Sequence, residues 1–231
     1  MKYDASYYLE NLYPMQDGVM RLVNDSETPF FLTGGTALSR FYLNHRFSDD
    51  LDFFVNADAA FTRHVEGIFD LLSASSQWSL LDRKTVRTES FVRFIVEKNG
   101  NELQIDFVND IPFRVGKPLT NIGPCAIDNW ENILSNKISA VTRFAAKDMV
   151  DLVYLARKYT FAWPEVLDQA ARKTSGIEPR IVCEILKGMP EKELEKIHWI
   201  DPIQSRLVMQ DLSRIAADLL YGRDNSLAER Q

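Results

Sequence analysis

Two aspartates separated by one residue are the first candidates for chemistry in this chain. Asp50 and Asp52 stand in "SDDLDFFV", where Leu51 and Phe53 read as the buried residues of a strand. Residues two apart in a strand face the same side, so the two carboxylates repel each other unless a cation lies between them. Carboxylate oxygens suit Mg²⁺, which keeps several waters and takes substrate phosphates as its other ligands. The pattern therefore predicts a magnesium site.

A glycine pair precedes the aspartates. Gly34 and Gly35 lie between the apolar run "FFL" and the helix-like segment "TALSRFYLNH", in which Thr36 is predicted to be the N-cap. Glycine lets a backbone approach a ligand closely, and a helix N-terminus offers unpaired N–H groups to a phosphate. For the glycine pair taken alone, an ordinary strand-to-helix turn with a capping threonine is the favoured explanation. The aspartates that follow favour the phosphate site.

A third carboxylate occurs later in the chain, in the strand-like segment "LQIDFV". Asp106 stands there between Ile105 and Phe107. An acid among apolar neighbours usually has a partner or a function. The alternative is a strand residue that simply points to solvent. If the two strands share a sheet, Asp106 joins Asp50 and Asp52 as a third acidic ligand.

Periodicity divides the chain into a mixed α/β half, residues 1–125, and a helical half, residues 126–231. In the first half, "SFVRFIVEK" and "ELQIDFVN" alternate as strands do, and Asn99-Gly100 between them predicts a tight hairpin. A connector rich in Pro and Gly follows. Further helices are expected over the following ranges: 5–24, 57–76, 130–145, 148–159, 164–173, 178–187 and 202–221.

Composition excludes several classes of protein. With a net charge of −6 and a pI near 5.2, the 231-residue chain is not coated in basic residues for sequence-independent nucleic-acid binding. Cys125 and Cys183 are too few for a disulfide framework. No signal peptide or membrane span is recognisable, so we expect a cytoplasmic protein. Neither a Walker A nor a dinucleotide-binding glycine motif occurs.

The order of these motifs resembles the nucleotidyltransferase fold of the DNA polymerase β superfamily. Within it, "FLTGGTALSRFYLNHRFSDDLDFFV" is similar to the AbiEii/AbiGii abortive-infection toxin family, which carries Gly-Gly-Thr-Ala-Leu followed by Arg-x-Ser-x-Asp-Leu-Asp-Phe. The similarity resumes at "NKISAVTRFAAKDMVDLVYL", which matches the family's lysine helix and its (Arg/Lys)-Asp-x-x-Asp-Leu signature. Lys147 stands where arginine is frequent. The resemblance implies an α+β fold: a mixed sheet with flanking helices, followed by a C-terminal helical bundle.

The resemblance also implies roles for particular residues. Nucleoside triphosphate (NTP) phosphates would be held at Gly34, Gly35 and Thr36, with two Mg²⁺ ions ligated by Asp50, Asp52 and Asp106. Lys137 would reach the phosphates, and Asp148 would be the acid of the helical half. Arg143 is a further candidate for the nucleotide, or else part of a solvated helix face. The structural alternative for Asp148 is the N-cap or a first-turn acid of its helix, and for Asp151 a first-turn partner of the helix dipole.

The function that follows is transfer of a nucleoside monophosphate from an NTP to a hydroxyl, with pyrophosphate released. By resemblance the acceptor is tRNA and the protein is the toxin of a toxin–antitoxin system, with a cognate antitoxin. Two alternatives stay open at this point: a small-molecule nucleotidyltransferase of the antibiotic-modifying type, and a nucleotide-binding module without turnover.

Overall fold

The computed structural model describes residues 4–228 and divides the chain into two compact units. The first unit contains the residues up to Ala37 together with Ser48–Asp128. The second contains Leu38–Phe47 together with the residues from Asn129 onward. Leu38–Phe47 therefore belong to the second unit, although in the sequence they stand between two strands of the first.

A mixed sheet of six strands organises the first unit. The strands run in the order β1-β2-β6-β5-β3, and β4 pairs with β5 outside that path. Strands β2 and β6 are parallel, whereas the pairs β1–β2, β5–β6, β3–β5 and β4–β5 are antiparallel. The strand bounds are β1 Phe31–Thr33, β2 Leu51–Asn56, β3 Ser79–Leu80, β4 Val86–Arg87, β5 Phe91–Lys98 and β6 Asn101–Asp110.

Alternation along the strands sends large side chains to one face of this sheet. Phe53, Phe94 and Phe107 are fully buried on that face, and the ring of Phe107 contacts the rings of the other two. The ring of Phe69, on helix α4 (Phe61–Ala74), lies 5.6 Å from that of Phe94. The opposite face is only partly covered and carries the aspartates described below.

The tight hairpin between β5 and β6 is confirmed. Asn99 and Gly100 both have positive φ, 53° and 79°, which the favoured two-residue hairpin turn requires and which asparagine and glycine tolerate best. This turn pairs Lys98 with Asn101 and Arg93 with Asp106.

The helix after the glycine pair differs from the prediction at its start. It begins at Gly34, with α3 spanning Gly34–Ala37, and continues as a π-helix over Leu38–Leu43. Thr36 is therefore inside the helix, and its prediction as N-cap is wrong. Its hydroxyl donates a hydrogen bond to the backbone oxygen of Asp50 at 2.5 Å.

The N-terminal helix also contains a π-helical turn. It runs as α1, Ala5–Tyr7, a π-helix over Tyr8–Leu12, and α2, Tyr13–Asp25. The Tyr8 hydroxyl donates to Asp49 at 2.7 Å, and the Gln16 amide donates to the backbone oxygen of Ser48 at 3.0 Å. Both bonds fix the segment that leads into β2.

The second unit is helical, and the predicted α+β fold with a helical second half is confirmed. Its first helix ends at Ser139, earlier than the predicted residue 145, and a 3-10 turn over Val141–Arg143 follows. Phe144, with a left-handed φ of 56°, ends that turn. No helix within residues 4–228 is long and apolar enough to cross a membrane. The helices are α5 Trp130–Ser139, α6 Ala146–Lys158, α7 Trp163–Ala171, α8 Pro179–Lys187 and α9 Ser205–Leu220, with 3-10 turns at Val141–Arg143 and Glu191–Lys196.

Candidate active site

The aspartates predicted from the sequence meet on one face of the sheet in the first unit. Asp52 on β2 and Asp106 on β6 are register partners across a parallel pair. Their side chains therefore stand next to each other, on strands spaced by about 4.8 Å. Asp50 directly precedes β2 and lies two residues before Asp52. The structure thus places the three carboxylates in one neighbourhood.

Gly34 is required by the carboxylate of Asp52. Its φ is +69°, and a Cβ added there would lie 2.5 Å from Oδ2 of Asp52, a distance that real side chains do not reach. Glycine alone permits both the left-handed backbone and the close approach. Gly35 follows as a buried residue. The glycine pair and the Asp-x-Asp motif are thus parts of one arrangement.

Replacing Gly34 by alanine is expected to lower nucleotidyl transfer by about 100-fold. The new methyl group would push the Asp52 carboxylate aside, and displacements of about 1 Å at a reaction centre cost that much. Steady-state kinetics would measure the loss. Gly67→Ala is the matched control, because Gly67 lies in α4 with nothing within 4 Å of an added Cβ. Full activity in Gly34→Ala would contradict the close approach.

Arg93 is a member of this site that the sequence analysis did not identify. Its Nε donates to Oδ1 of Asp106 at 2.7 Å, and its Nη2 donates to Oδ2 at 2.6 Å. The Gln104 amide donates to the same Oδ2 at 3.2 Å. The pKa of Arg93 is raised by its hydrogen bond to Asp106 and by the nearby charges of Asp50 and Asp52. Arg93 therefore offsets the acidic charge of the site.

The donor chemistry of the three aspartates fits Mg²⁺, because oxygen ligands on one sheet face are what this ion prefers. Within residues 4–228, however, no three His, Cys, Asp or Glu side chains already form a group that could hold a metal ion. Both oxygens of Asp106 accept hydrogen bonds from Arg93. Asp106 can therefore serve as a metal ligand only if it exchanges this arginine for the ion.

A second cluster of charges lies within the helical unit. Lys137 on α5 contacts two aspartates of α6: its Nζ lies 2.5 Å from Oδ1 of Asp148 and 2.7 Å from Oδ2 of Asp151. Arg143 donates from Nη2 to Oδ2 of Asp148 at 2.9 Å, and its side chain is 65% exposed. The structure thus brings Lys137, Arg143 and Asp148 together. Asp148 lies in the first turn of its helix, as predicted.

Asp151 is the centre of this cluster, and its prediction as a first-turn partner of the helix dipole is wrong. The carboxylate is fully buried and accepts two hydrogen bonds from Arg46, both at 2.8 Å. His45 contacts it through Nε2, also at 2.8 Å. Burial alone would raise the pKa of Asp151, but the charges of Arg46 and Lys137 outweigh it and hold the pKa well below 3.8.

Lys137 stays protonated in this environment. Burial would lower its pKa, but the charges of Asp151 and Asp148 raise it above the usual 10.5. A lysine whose pKa is raised cannot serve as a general base near neutral pH. Its contribution is a positive charge held at a fixed position.

His45 is neutral in the folded protein. Its ring is fully buried and lies 4.6 Å from the ring of Tyr154. Nδ1 is buried without a hydrogen-bond partner. Burial lowers the pKa of His45, and the nearby charges of Arg46 and Lys137 act in the same direction, while the bond to Asp151 opposes them. Protonation would add a hydrogen to Nδ1, which has no hydrogen-bond acceptor.

This burial predicts a loss of stability in mild acid. The unfolded chain binds a proton at His45 near pH 6.5, whereas the folded chain binds it only at lower pH. Stability is therefore present above pH 6.5 and is lost as the pH falls toward the folded value, by at most about 1.4 kcal/mol per pH unit. In His45→Gln this slope should be shallower. Urea unfolding between pH 5 and 7.5 tests it, and identical slopes would contradict a neutral His45.

Comparison with known proteins identifies the family of this chain. The model of the family described as "Nucleotidyl transferase AbiEii toxin, Type IV TA system" matches residues 21–226. The chain belongs to the AbiEii toxin family. The match spans both charge clusters, and the chain is a nucleotidyltransferase of a toxin system. The family also implies an NTP substrate and an antitoxin partner.

Solved structures share the fold with this AbiEii protein. A protein from H. pylori proposed to be a nucleotidyltransferase has a TM-score of 0.62 and 20% identity, covering 96% of this chain and 97% of its own. MenT4, a nucleotidyltransferase toxin from Mycobacterium tuberculosis H37Rv, has a TM-score of 0.62 and 16% identity, covering 90% of this chain and 82% of its own.

A relative found by sequence is an uncharacterized protein of Aquifex aeolicus. It is 29% identical over 174 residues, which are 75% of this chain and 80% of its own.

Each charge cluster of the AbiEii protein lies within one unit. The first contains Gly34, Asp52, Asp106 and Arg93. The second joins the lysine helix and the "KDMVDL" helix to His45 and Arg46, which precede the Asp-x-Asp motif by a few residues. Arg46 is the arginine of the family's Arg-x-Ser-x-Asp-Leu-Asp-Phe pattern, and its partner could be identified only from the structure.

Proposed function

We propose that the chain transfers a nucleoside monophosphate from an NTP to a hydroxyl of tRNA, with Mg²⁺ as cofactor and pyrophosphate as the second product. The observation that carries the proposal is the pairing of Asp52 with Asp106 across two parallel strands, with Gly34 packed against Asp52. Arg93 offsets the charge of Asp106 in the structure, and a metal ion would offset the mutual repulsion of Asp50 and Asp52 beside it.

Asp50 and Asp52 are the residues that would hold two Mg²⁺ ions, and Asp106 would be the third ligand. Such ions, when bound, lower the pKa of an attacking hydroxyl and stabilise a leaving pyrophosphate. The protein contributes positioning and fixed charge, as in other phosphoryl-type transfers. Arg93, which holds Asp106 in the structure, would then be free to pair with a substrate phosphate.

The glycine turn supplies the second part of the proposal. Gly34 and Gly35 would leave room for the triphosphate, and Thr36 ties this turn to the backbone of Asp50. By the family resemblance, Lys137 and Arg143 are proposed as the nucleotide-binding residues of the helical unit. Asp148, which accepts from both, would be the acid that positions them. The exposed side chain of Arg143 is the one with freedom to move.

As the toxin of its system, the protein would arrest translation in the cytoplasm by blocking the 3′ end of tRNA. The first experiment is transfer of label from each α-³²P NTP to total tRNA in the presence of Mg²⁺. The control is the double variant Asp50→Ala, Asp52→Ala. Label on tRNA that disappears in the control, and on removal of Mg²⁺ by a chelator, is the expected result.

The same assay separates the alternatives. Label on an aminoglycoside but not on tRNA would establish the antibiotic-modifying reaction instead. Mg²⁺-dependent NTP binding without label on any acceptor would indicate a module that binds without turnover. Transfer that survives in the double variant would mean that the metal ligands lie elsewhere.

A further inference from the structure

The partly open face of the sheet carries a row of polar residues and, beside it, a row of apolar ones. Register pairs define both. The polar row passes through the active site, and we call it the carboxylate row; it consists of Arg93, Asp106, Asp52 and Thr33. Its neighbour, the aromatic row, consists of Phe91, Val108, Phe54 and Phe31.

The aromatic row differs from the aromatic core on the opposite face. Phe53, Phe94 and Phe107 of the core are completely buried. Phe91, Val108 and Phe54 of the aromatic row keep part of their surface exposed. Aromatic side chains that stay partly exposed beside an active site are candidates for contact with a ligand.

The aromatic row is one residue wide. On one side it borders the carboxylate row. On the other side it borders Asp110 and Asn56, which are register partners of each other. A groove for an amphipathic helix needs a broader apolar stripe, because anchors recur at i, i+3 and i+7. A narrow apolar strip between polar rows fits the flat ring of one nucleobase.

Distances across the sheet indicate whether this base belongs to the NTP or to the acceptor. Residues two apart on a strand are separated by about 7 Å, so Phe91 and Phe54 lie within one nucleotide of the aspartates. Gly34 adjoins β1, whereas Phe91 lies three strands away on β5, about 14 Å across the sheet. If the NTP phosphates occupy the glycine turn, Phe91 is on the acceptor side of Asp106.

Arg93 can supply a cation for a polynucleotide phosphate at this position once Asp106 exchanges it for a metal ion. Its guanidinium carbon lies 5.4 Å from the centre of the Phe91 ring, and its side chain is 36% exposed. Aromatic rings interleaved with arginine form the usual platform for single-stranded nucleic acids, in which the ring stacks on a base and the cation contacts a phosphate.

We propose that Phe91, supported by Val108 and Phe54, stacks on the terminal base of a single-stranded polynucleotide acceptor while Arg93 contacts its phosphate. The inference deepens the proposed function and rests on it for the position of the NTP. What it adds to the proposed tRNA acceptor is the surface that would hold the unpaired end of that acceptor, namely Phe91 and Arg93 on β5.

The test compares Phe91→Leu with Phe91→Trp in the full chain. A 5′-labelled single-stranded RNA with a free 3′ end is titrated without NTP, and binding is followed by fluorescence anisotropy. Phe91→Leu should weaken binding roughly 5- to 100-fold, the usual effect of losing one stacked base. Phe91→Trp should retain it. The salt dependence of binding should stay unchanged in both, because no charge is altered.

Phe69→Leu is the matched control, since it makes the same substitution on helix α4, where the ring packs against Phe94 on the opposite face of the sheet. It should leave RNA binding unchanged. An affinity loss for NTP but not for RNA in Phe91→Leu would show that the ring serves the incoming nucleotide and would overturn the proposal. So would equal RNA binding by wild type and Phe91→Leu, or no binding by either.

Failure of the proposed function gives a different result. Because the titration contains no NTP, Phe91-dependent RNA binding without any label transfer would contradict the transferase proposal alone. Label transfer that is equal in wild type and Phe91→Leu, at acceptor concentrations below saturation, would contradict the stacking platform alone.

Discussion

Asp52→Asn should reduce nucleotidyl transfer a thousandfold or more in kcat/KM, a loss of about 4 kcal/mol of transition-state stabilisation. Asparagine keeps the size of the side chain but removes the negative charge that a cation needs. Asp52 is central, because it is the partner of Asp106 in register and the contact of Gly34. The fold should change little, with a stability difference within about 1 kcal/mol.

Asp110→Asn is the control for this prediction. It makes the same substitution at a partly exposed position on β6, the strand that carries Asp106. Kinetics with labelled NTP measure transfer, and urea unfolding measures stability. Near-normal transfer by Asp52→Asn would disprove its role as a metal ligand. If Asp52→Asn lost much stability, its low activity could reflect misfolding and not the missing charge. Asp52→Glu, which keeps the charge and changes the size of the side chain, would then distinguish the two causes.

The second large effect is expected from Asp151→Ala, which should destabilise the helical unit by about 3–5 kcal/mol. Removing one partner of a buried ion pair leaves the other charge buried and uncompensated. Here Arg46 and Lys137 both lose a contact of 2.7–2.8 Å to a fully buried carboxylate. A loss of that size is a large fraction of a typical domain's stability.

Asp211→Ala provides the comparison, because Asp211 pairs with Arg157 at a partly exposed position, with side chains 15% and 30% exposed. Its loss should cost about 1 kcal/mol or less. The pH dependence should also differ. The pKa of Asp151 is lowered by folding, so its contribution is present above about pH 4 and is lost as the pH falls through the folded value. Equal urea midpoints for the two variants would disprove the central position of Asp151.

Part of the first charge cluster was predictable from the sequence beyond the aspartates themselves. A two-residue Asn99-Gly100 turn sets the register of its hairpin, and counting back from it places Arg93 opposite Asp106. Opposite residues share a face, so the ion pair follows from the turn alone. The pairing of Asp52 with Asp106 could not be predicted in this way. The two parallel strands are joined by a long crossover connection, which does not fix their register.

The second charge cluster was harder to predict. The "MVDLVYL" segment surrounds Asp151 with apolar residues, the same signal that marked Asp106. In a helix, however, neighbours in sequence point in different directions, so that signal does not tell whether the acid faces the core. The partners, His45 and Arg46, are about a hundred residues away in the chain, and no local pattern connects them to α6.

The chain passes between its two units three times, after Ala37, Phe47 and Asp128, and this routing limits how the gene can be divided. A cut at the last passage leaves the ten residues Leu38–Phe47 on the wrong fragment. The isolated C-terminal half would then contain Asp151 and Lys137 without Arg46, its bidentate partner. We therefore expect that neither half folds when it is expressed alone. A chimaera that takes the sheet of the first unit from a relative must keep Leu38–Phe47 from the same source as the helices of the second unit.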